Sequence, residues 1–162
     1  MTHQLKIGQP APAFILPDGN QNNHSLSDYR GSWLVLFFYP KDLTPGCTAE
    51  ACQFRDHYAD IQANNSQILG INTDNSASHK HFIEKKQLPF SLLSDTNGET
   101  CRAYGSLFKL GPIKFSKRHT FIINPDGNIA KIYRKVSPDQ HARQIIDDLK
   151  SLQERSVRKS GT

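Results

Sequence analysis

The sequence is poor in the residues that would staple it or carry it through a membrane. It has three cysteines, one methionine and one tryptophan among 162 residues. A small, odd number of cysteines argues against a secreted disulfide framework and for a reducing compartment, where a cysteine is kept for its reactivity. No C-x-x-C pair occurs, so the disulfide exchange that such a pair performs without backbone rearrangement is excluded. Long apolar runs are missing as well. The longest, Trp33 to Tyr39, falls far short of the roughly 20 residues a membrane helix requires. The opening stretch MTHQLKIGQPAP lacks the charged-then-apolar layout of an export signal, and the chain is expected to be soluble and cytoplasmic.

Charge of either sign is only mildly in excess: 20 Lys and Arg against 15 Asp and Glu leave +5. Part of that excess sits in the final ERSVRKSGT, so residues 154–162 read as a frayed, solvated basic tail. No basic cluster of the usual length accompanies it, which argues against nucleic acid or a membrane surface as a partner. With 36% hydrophobic and 22% charged residues the composition is that of a globular protein. The length suits one domain, residues 1–153, with a core of its own.

Periodicity supplies the elements. Ala13 to Leu16 followed by Pro17-Asp18-Gly19-Asn20 reads as a strand entering an N-terminal hairpin, with Asp-Gly providing the positive φ of a tight turn. Trp33 to Tyr39, bounded by Gly31 and Pro40, is a strand apolar on both faces. Cys47, Ala51, Phe54, Tyr58 and Ile61 then recur at helical spacing from about Gly46, and Gln67 to Thr73 is the next strand. Strand, helix and strand in this order make a right-handed βαβ unit. A helix is expected over Ser76 to Gln87, a short one over Gly98 to Tyr104, and a hairpin from Arg118–Asn124 to Ile129–Arg134. Ser137-Pro138-Asp139-Gln140 carries the capping signals of a last helix, with Ala142, Ile145, Ile146, Leu149 and Leu152 on its apolar face. The fold class is α/β, a mixed sheet flanked by helices.

The stretch YPKDLTPGCTAEAC raises the chemical question. Cys47 falls in the first turn of its helix, where unbonded N–H groups and the positive dipole end favour an anion, and thiolate is the nucleophilic form of cysteine. Its place on the stripe with Phe54 and Tyr58 is equally that of a small core residue. Cys52 lies five positions on, turned by roughly 140° and more than about 8 Å away between Cα atoms in a regular helix. A disulfide needs Cα atoms within about 7 Å, so any bond between the two requires the helix to unwind. Cys47, Cys52 and His57 are possible zinc ligands, but they spread around the helix and number fewer than a structural site needs. His79 and His81 face different sides of their helix and read as solvated.

Pro40-Lys-Asp-Leu-Thr44-Pro-Gly-Cys47 resembles the P-x-x-x-T-x-x-C signature of the peroxiredoxins, and a second cysteine at position 52 is similar to the bacterioferritin-comigratory, or Q-type, branch. The resemblance extends to Gly8-Gln9-Pro10-Ala11-Pro12, Leu93-Ser-Asp95, Arg118-His-Thr-Phe121 and Asn124-Pro-Asp-Gly127. It implies a thioredoxin-like fold and reduction of hydrogen peroxide and organic hydroperoxides without cofactor or metal. In that reading Cys47 is the peroxidatic cysteine and Cys52 the resolving one, joined in an intrachain disulfide that a thioredoxin-type donor reduces. Thr44 would hold the peroxide, Pro40 would shield the pocket, and Arg118 would stabilise negative charge on sulfur and oxygen. Cys101 has no matching role and reads as a packing residue. The resemblance also points to a monomer. Two other readings stand beside it, a protein disulfide reductase and a non-catalytic module of the same fold. Trp33, the single tryptophan, starts the strand leading to Cys47 and is a candidate fluorescent reporter.

Overall fold

The computed structural model describes residues 4–160. The expected hairpin forms from β1 (Ile15–Pro17) and β2 (Asn23–Ser25), paired antiparallel. Its turn works differently from the sequence expectation. Positive φ falls on Gln21, at 64°, while Asp18 Oδ1 accepts the N–H groups of Asn20 and Asn22. Gly19 is needed for space instead, since a Cβ there would lie 3.0 Å from the Lys80 backbone nitrogen. In the second Pro-Asp-Gly-Asn turn the glycine does take positive φ, 89° at Gly127.

The central sheet has five strands, β3 (Trp33–Phe38), β4 (Ser66–Asn72), β5 (Ser91–Ser94), β8 (His119–Ile123) and β9 (Ile129–Tyr133), in the order β5-β4-β3-β8-β9. Between β5 and β8 lies a separate antiparallel ribbon of β6 (Leu107–Leu110) and β7 (Ile113–Ser116). β3 pairs parallel with β4 and antiparallel with β8, so the sheet is mixed. The helices are α1 (Pro45–Asp56), α2 (Tyr58–Ala63), α3 (Ser76–Lys86), α4 (Glu99–Ala103) and α5 (His141–Ser160). The single helix expected after β3 breaks at His57 into α1 and α2.

β3 is buried along its whole length, and its two faces serve two cores. Val35, Phe37 and Tyr39 pack with Cys47, Phe54, Phe82, Ile145 and Leu149 on the face covered by α1, α3 and α5. Leu34, Leu36 and Phe38 pack with Phe14, Leu26, Cys101 and Tyr104 beneath the N-terminal hairpin and α4. Period-2 alternation on a strand covered on both sides is why the run reads as continuously apolar.

α5 departs from expectation at both ends. Ser137 Oγ donates to Asp139 Oδ1 and Gln140 N–H to the Ser137 carbonyl, which makes a turn before the helix begins at His141. The residues expected to fray from 154 continue the helix to Ser160, and Gly161 and Thr162 lie outside the described residues. Ala142, Ile145, Ile146 and Leu149 are buried as their spacing implies. No helix among the described residues is long and apolar enough to cross a membrane.

Gly70 shows how tightly the centre is filled. On β4, beside Phe37 and Leu92, an added Cβ would come within 2.6 Å of Leu92 Cδ2 and 2.8 Å of Phe37 Cζ. Gly70→Ala is therefore expected to destabilise the fold by about 1–3 kcal/mol through overpacking, read as a lower urea midpoint. An unchanged midpoint would mean that the Phe37 ring and the Leu92 methyl can move aside.

Candidate active site

β3 delivers the chain to the site. Tyr39, without exposure, and half-buried Pro40 lead off its end; Thr44 is the N-cap of α1 and Pro45 occupies the first turn, where a missing N–H is harmless. Cys47 follows, 1% exposed. The first helical bond here runs from Thr48 N–H to the Thr44 carbonyl, so the N–H groups of Gly46 and Cys47 precede the ladder, as the first donors of a helix do.

Arg118 supplies the cation. It precedes β8, whose antiparallel register sets His119 against Phe38, and so reaches the end of β3 where α1 begins. Its Nη2 donates to Cys47 Sγ at 3.3 Å and its Nη1 to Glu50 Oε1 at 2.8 Å. Burial works against the guanidinium charge, but Glu50 and Cys47 together hold the Arg118 pKa above its ordinary value. A Cβ at Gly46 would lie 3.0 Å from Nη2. Glycine at this position lets the guanidinium cross the helix start on its way to the sulfur.

The other expected residues have surroundings of their own. Thr44 Oγ1 donates to the Lys41 carbonyl at 2.9 Å, does not cap the helix, and keeps its lone pairs as acceptors for a hydroperoxide O–H. Pro40 borders a hollow of about 310 Å³ together with Lys41, Thr73, Ile113, Lys114 and Phe115. A wider hollow of about 870 Å³ lies at the opposite end of β3, by Trp33 and α5, and contains none of the candidate residues. Trp33 is thus roughly 17 Å down the strand from Phe38, badly placed to report on Cys47. Cys52 is half-buried in the intact α1, and none of the three cysteines is in a disulfide. Cys101 is fully buried, and burial followed by the nearby Asp95 pushes its pKa well up, the environment of an inert packing thiol.

Three residues escaped the sequence reading: Glu50, His79 and its partner Asp42. Glu50, 1% exposed, sits one turn after Cys47 and orients Arg118. A charged residue adjoining the apolar stripe Cys47, Ala51, Phe54 was the available signal. His79, read as solvated, has no exposure and pairs with Asp42, whereas His81 is exposed as expected. The error came from the helix face: Phe82, three positions on, is buried on the same side. Among the described residues no group of three or more His, Cys, Asp and Glu is placed to hold a metal ion.

Comparison with known proteins places this geometry among relatives. A profile of the AhpC/TSA family matches residues 7–132. The peroxiredoxin Bcp of Bacillus subtilis is 38% identical over 157 residues, 93% of this chain and 99% of that protein. A protein described as a putative peroxiredoxin bcp from Coxiella burnetii is 38% identical over 90% of this chain and 99% of its own. Among solved structures, peroxidoxin BcpB of Mycobacterium tuberculosis superposes with a TM-score of 0.86 at 33% identity, covering 92% of this chain and 98% of its own. A Xanthomonas campestris bacterioferritin comigratory protein, studied for alkyl peroxide reduction, gives 0.80 at 31% identity over 85% of this chain and 90% of its own.

Glu50 also makes the site sensitive to pH. Burial pushes its pKa from 4.5 to about 7, although the Arg118 charge and hydrogen bond pull it back part of the way, and its Oε2 is buried without a hydrogen-bond partner. A carboxyl whose folded value lies above its unfolded one stabilises the fold fully below about pH 4.5 and loses that contribution as pH rises through about 7. Relative to Glu50→Gln, the wild-type protein is expected to lose roughly 3 kcal/mol of stability between about pH 4 and about pH 8, measured by urea unfolding. A difference that does not change with pH would contradict this.

Proposed function

Given that this chain belongs to the AhpC/TSA family and is a peroxiredoxin, a thiol-dependent peroxidase, we propose that it reduces hydrogen peroxide and alkyl hydroperoxides at Cys47. The observation that carries this assignment is the hydrogen bond from Arg118 to the buried Cys47 sulfur at the start of α1. The guanidinium and the helix start stabilise negative charge on sulfur before the reaction and on the leaving oxygen during it.

The Cys47 thiolate attacks one peroxide oxygen. An S–O bond forms, the O–O bond breaks, and the departing alkoxide or hydroxide takes a proton and leaves as alcohol or water. Thr44 orients the hydroperoxide through its free lone pairs, and Pro40 keeps water from the pocket mouth. Cys52 then attacks the sulfenic sulfur, and water departs with the Cys52 proton as the disulfide forms. A thioredoxin-type dithiol is the reductant: it becomes a disulfide while both thiols of this chain return. An intrachain bond needs no second subunit, which favours a monomer, and a small, odd cysteine count suits the reducing cytoplasm.

Intact-protein mass spectrometry after one equivalent of hydrogen peroxide tests the assignment. Wild type is expected to lose two hydrogens, mapped to Cys47 and Cys52; Cys52→Ser to gain an oxygen and stall; Cys47→Ser to remain unchanged. Arg118→Ala is expected to lower the rate constant with peroxide roughly 100-fold. A disulfide mapped to Cys101, or consumption of peroxide by Cys47→Ser, would overturn these roles.

A further inference from the structure

The loop between Pro40 and Thr44 is tied down at one residue. Asp42 is 7% exposed, and its carboxylate is fully used. Tyr39 Oη donates to Oδ1 at 2.6 Å and Asn72 Nδ2 at 3.1 Å, while Ser78 Oγ and His79 Nδ1 each donate to Oδ2 at 2.7 Å. Its backbone N–H donates to Asp74 Oδ2 at 2.8 Å. Burial would raise the Asp42 pKa, but the hydrogen bonds and charge of His79 and the hydroxyls of Tyr39 and Ser78 outweigh it and hold the carboxyl below its ordinary value.

The other ring nitrogen of His79, Nε2, lies 3.0 Å from the Leu93 carbonyl oxygen. The Asp42 carboxylate and the Leu93 carbonyl only accept, and the Tyr39 hydroxyl, 3.4 Å from Nδ1, gives its proton to Asp42, so both short bonds are made only when both nitrogens carry hydrogen. Asp42 and His79 are then a buried ion pair that fastens the loop to α3, β4 and β5. Leu43, directly after the pair, has φ of 61°, a conformation that a leucine keeps only where its surroundings impose it. Beyond it begins α1, the helix that has to open before Cys47 can reach Cys52.

We propose that Asp42 and His79 form a clamp that positions the Cys47 loop and sets the rate of the resolving step, holding α1 folded while it is closed and opening as the first turns unwind. This rests on the disulfide assigned under Proposed function. In that step the S–S bond forms, the S–O bond breaks, and hydroxide leaves with the Cys52 proton as water. Neither clamp residue bonds to a sulfur; both act through the loop. A weakened clamp shifts the population toward the open loop, so the half-reactions move in opposite senses. Oxidation of Cys47, which uses the folded loop, slows, and disulfide formation, which uses the unwound one, quickens.

Rapid-quench alkylation with intact mass readout follows the two steps separately in wild type, Asp42→Asn and His79→Gln. Both variants are expected to form the disulfide roughly threefold faster or more, to react with peroxide no faster than wild type, and to accumulate less over-oxidised Cys47 in excess peroxide. Equal slowing of both steps, or no change in either, overturns the clamp. Should the variants fail to fold, nitrogen-15 NMR of the wild-type His79 ring decides: two protonated ring nitrogens in the reduced form and loss of at least one in the disulfide form support it, and an unchanged doubly protonated ring in both forms overturns it. A wild type that never joins Cys47 to Cys52 sinks the functional assignment and the clamp together, whereas unaltered partitioning in folded variants sinks the clamp alone.

Discussion

One sulfur, buried to 1% exposure, meets one guanidinium at 3.3 Å, and the architecture around the site serves that contact. β3 ends beside β8 so that Arg118 arrives where α1 starts. Gly46 leaves room for its Nη2, and Glu50 holds its Nη1. A charge in such a setting interacts more strongly than it would in water, because little solvent screens it. The same burial explains why Glu50 resists ionising although it touches a cation: desolvation outweighs the pairing.

The geometry that protects the sulfur also isolates it. In the intact α1, Cys47 points into the core with Phe54 and Tyr39, while Cys52 lies on another side of the helix, half-buried. A catalyst that traps its oxidised sulfur as an internal disulfide must therefore keep two conformations close in free energy. The chain builds the closed one from a short run: the proline at the helix start, the glycine beneath Arg118, and a leucine in the left-handed region, which costs about 1–2 kcal/mol in isolation. Just upstream, Asp42 is pinned by four side-chain donors.

The central elements were legible in the sequence because their signals are local. A run apolar on both faces can only be a covered strand, and the stripe of α1 carries Cys47 inward as its spacing implies. The ribbon β6–β7 was missed because its residues are largely exposed, so no burial pattern marks it. Pro40, Thr44, Cys47 and Arg118 were singled out through a short motif and a distant match, and the sheet register brings Arg118 to Cys47. Glu50 and the Asp42–His79 pair were not, because their roles arise from contacts between segments 30 or more residues apart, and a polar residue facing a core looks solvated until its partner is in place.

Amide hydrogen exchange across residues 46–56, compared between the reduced protein and the protein oxidised with one equivalent of peroxide, tests the central claim most directly. Faster exchange over the first turns of α1 in the oxidised form, with β3 still protected, is the expected result. Equal protection in both states would mean that the sulfurs never meet through an opened helix, and would contradict the account.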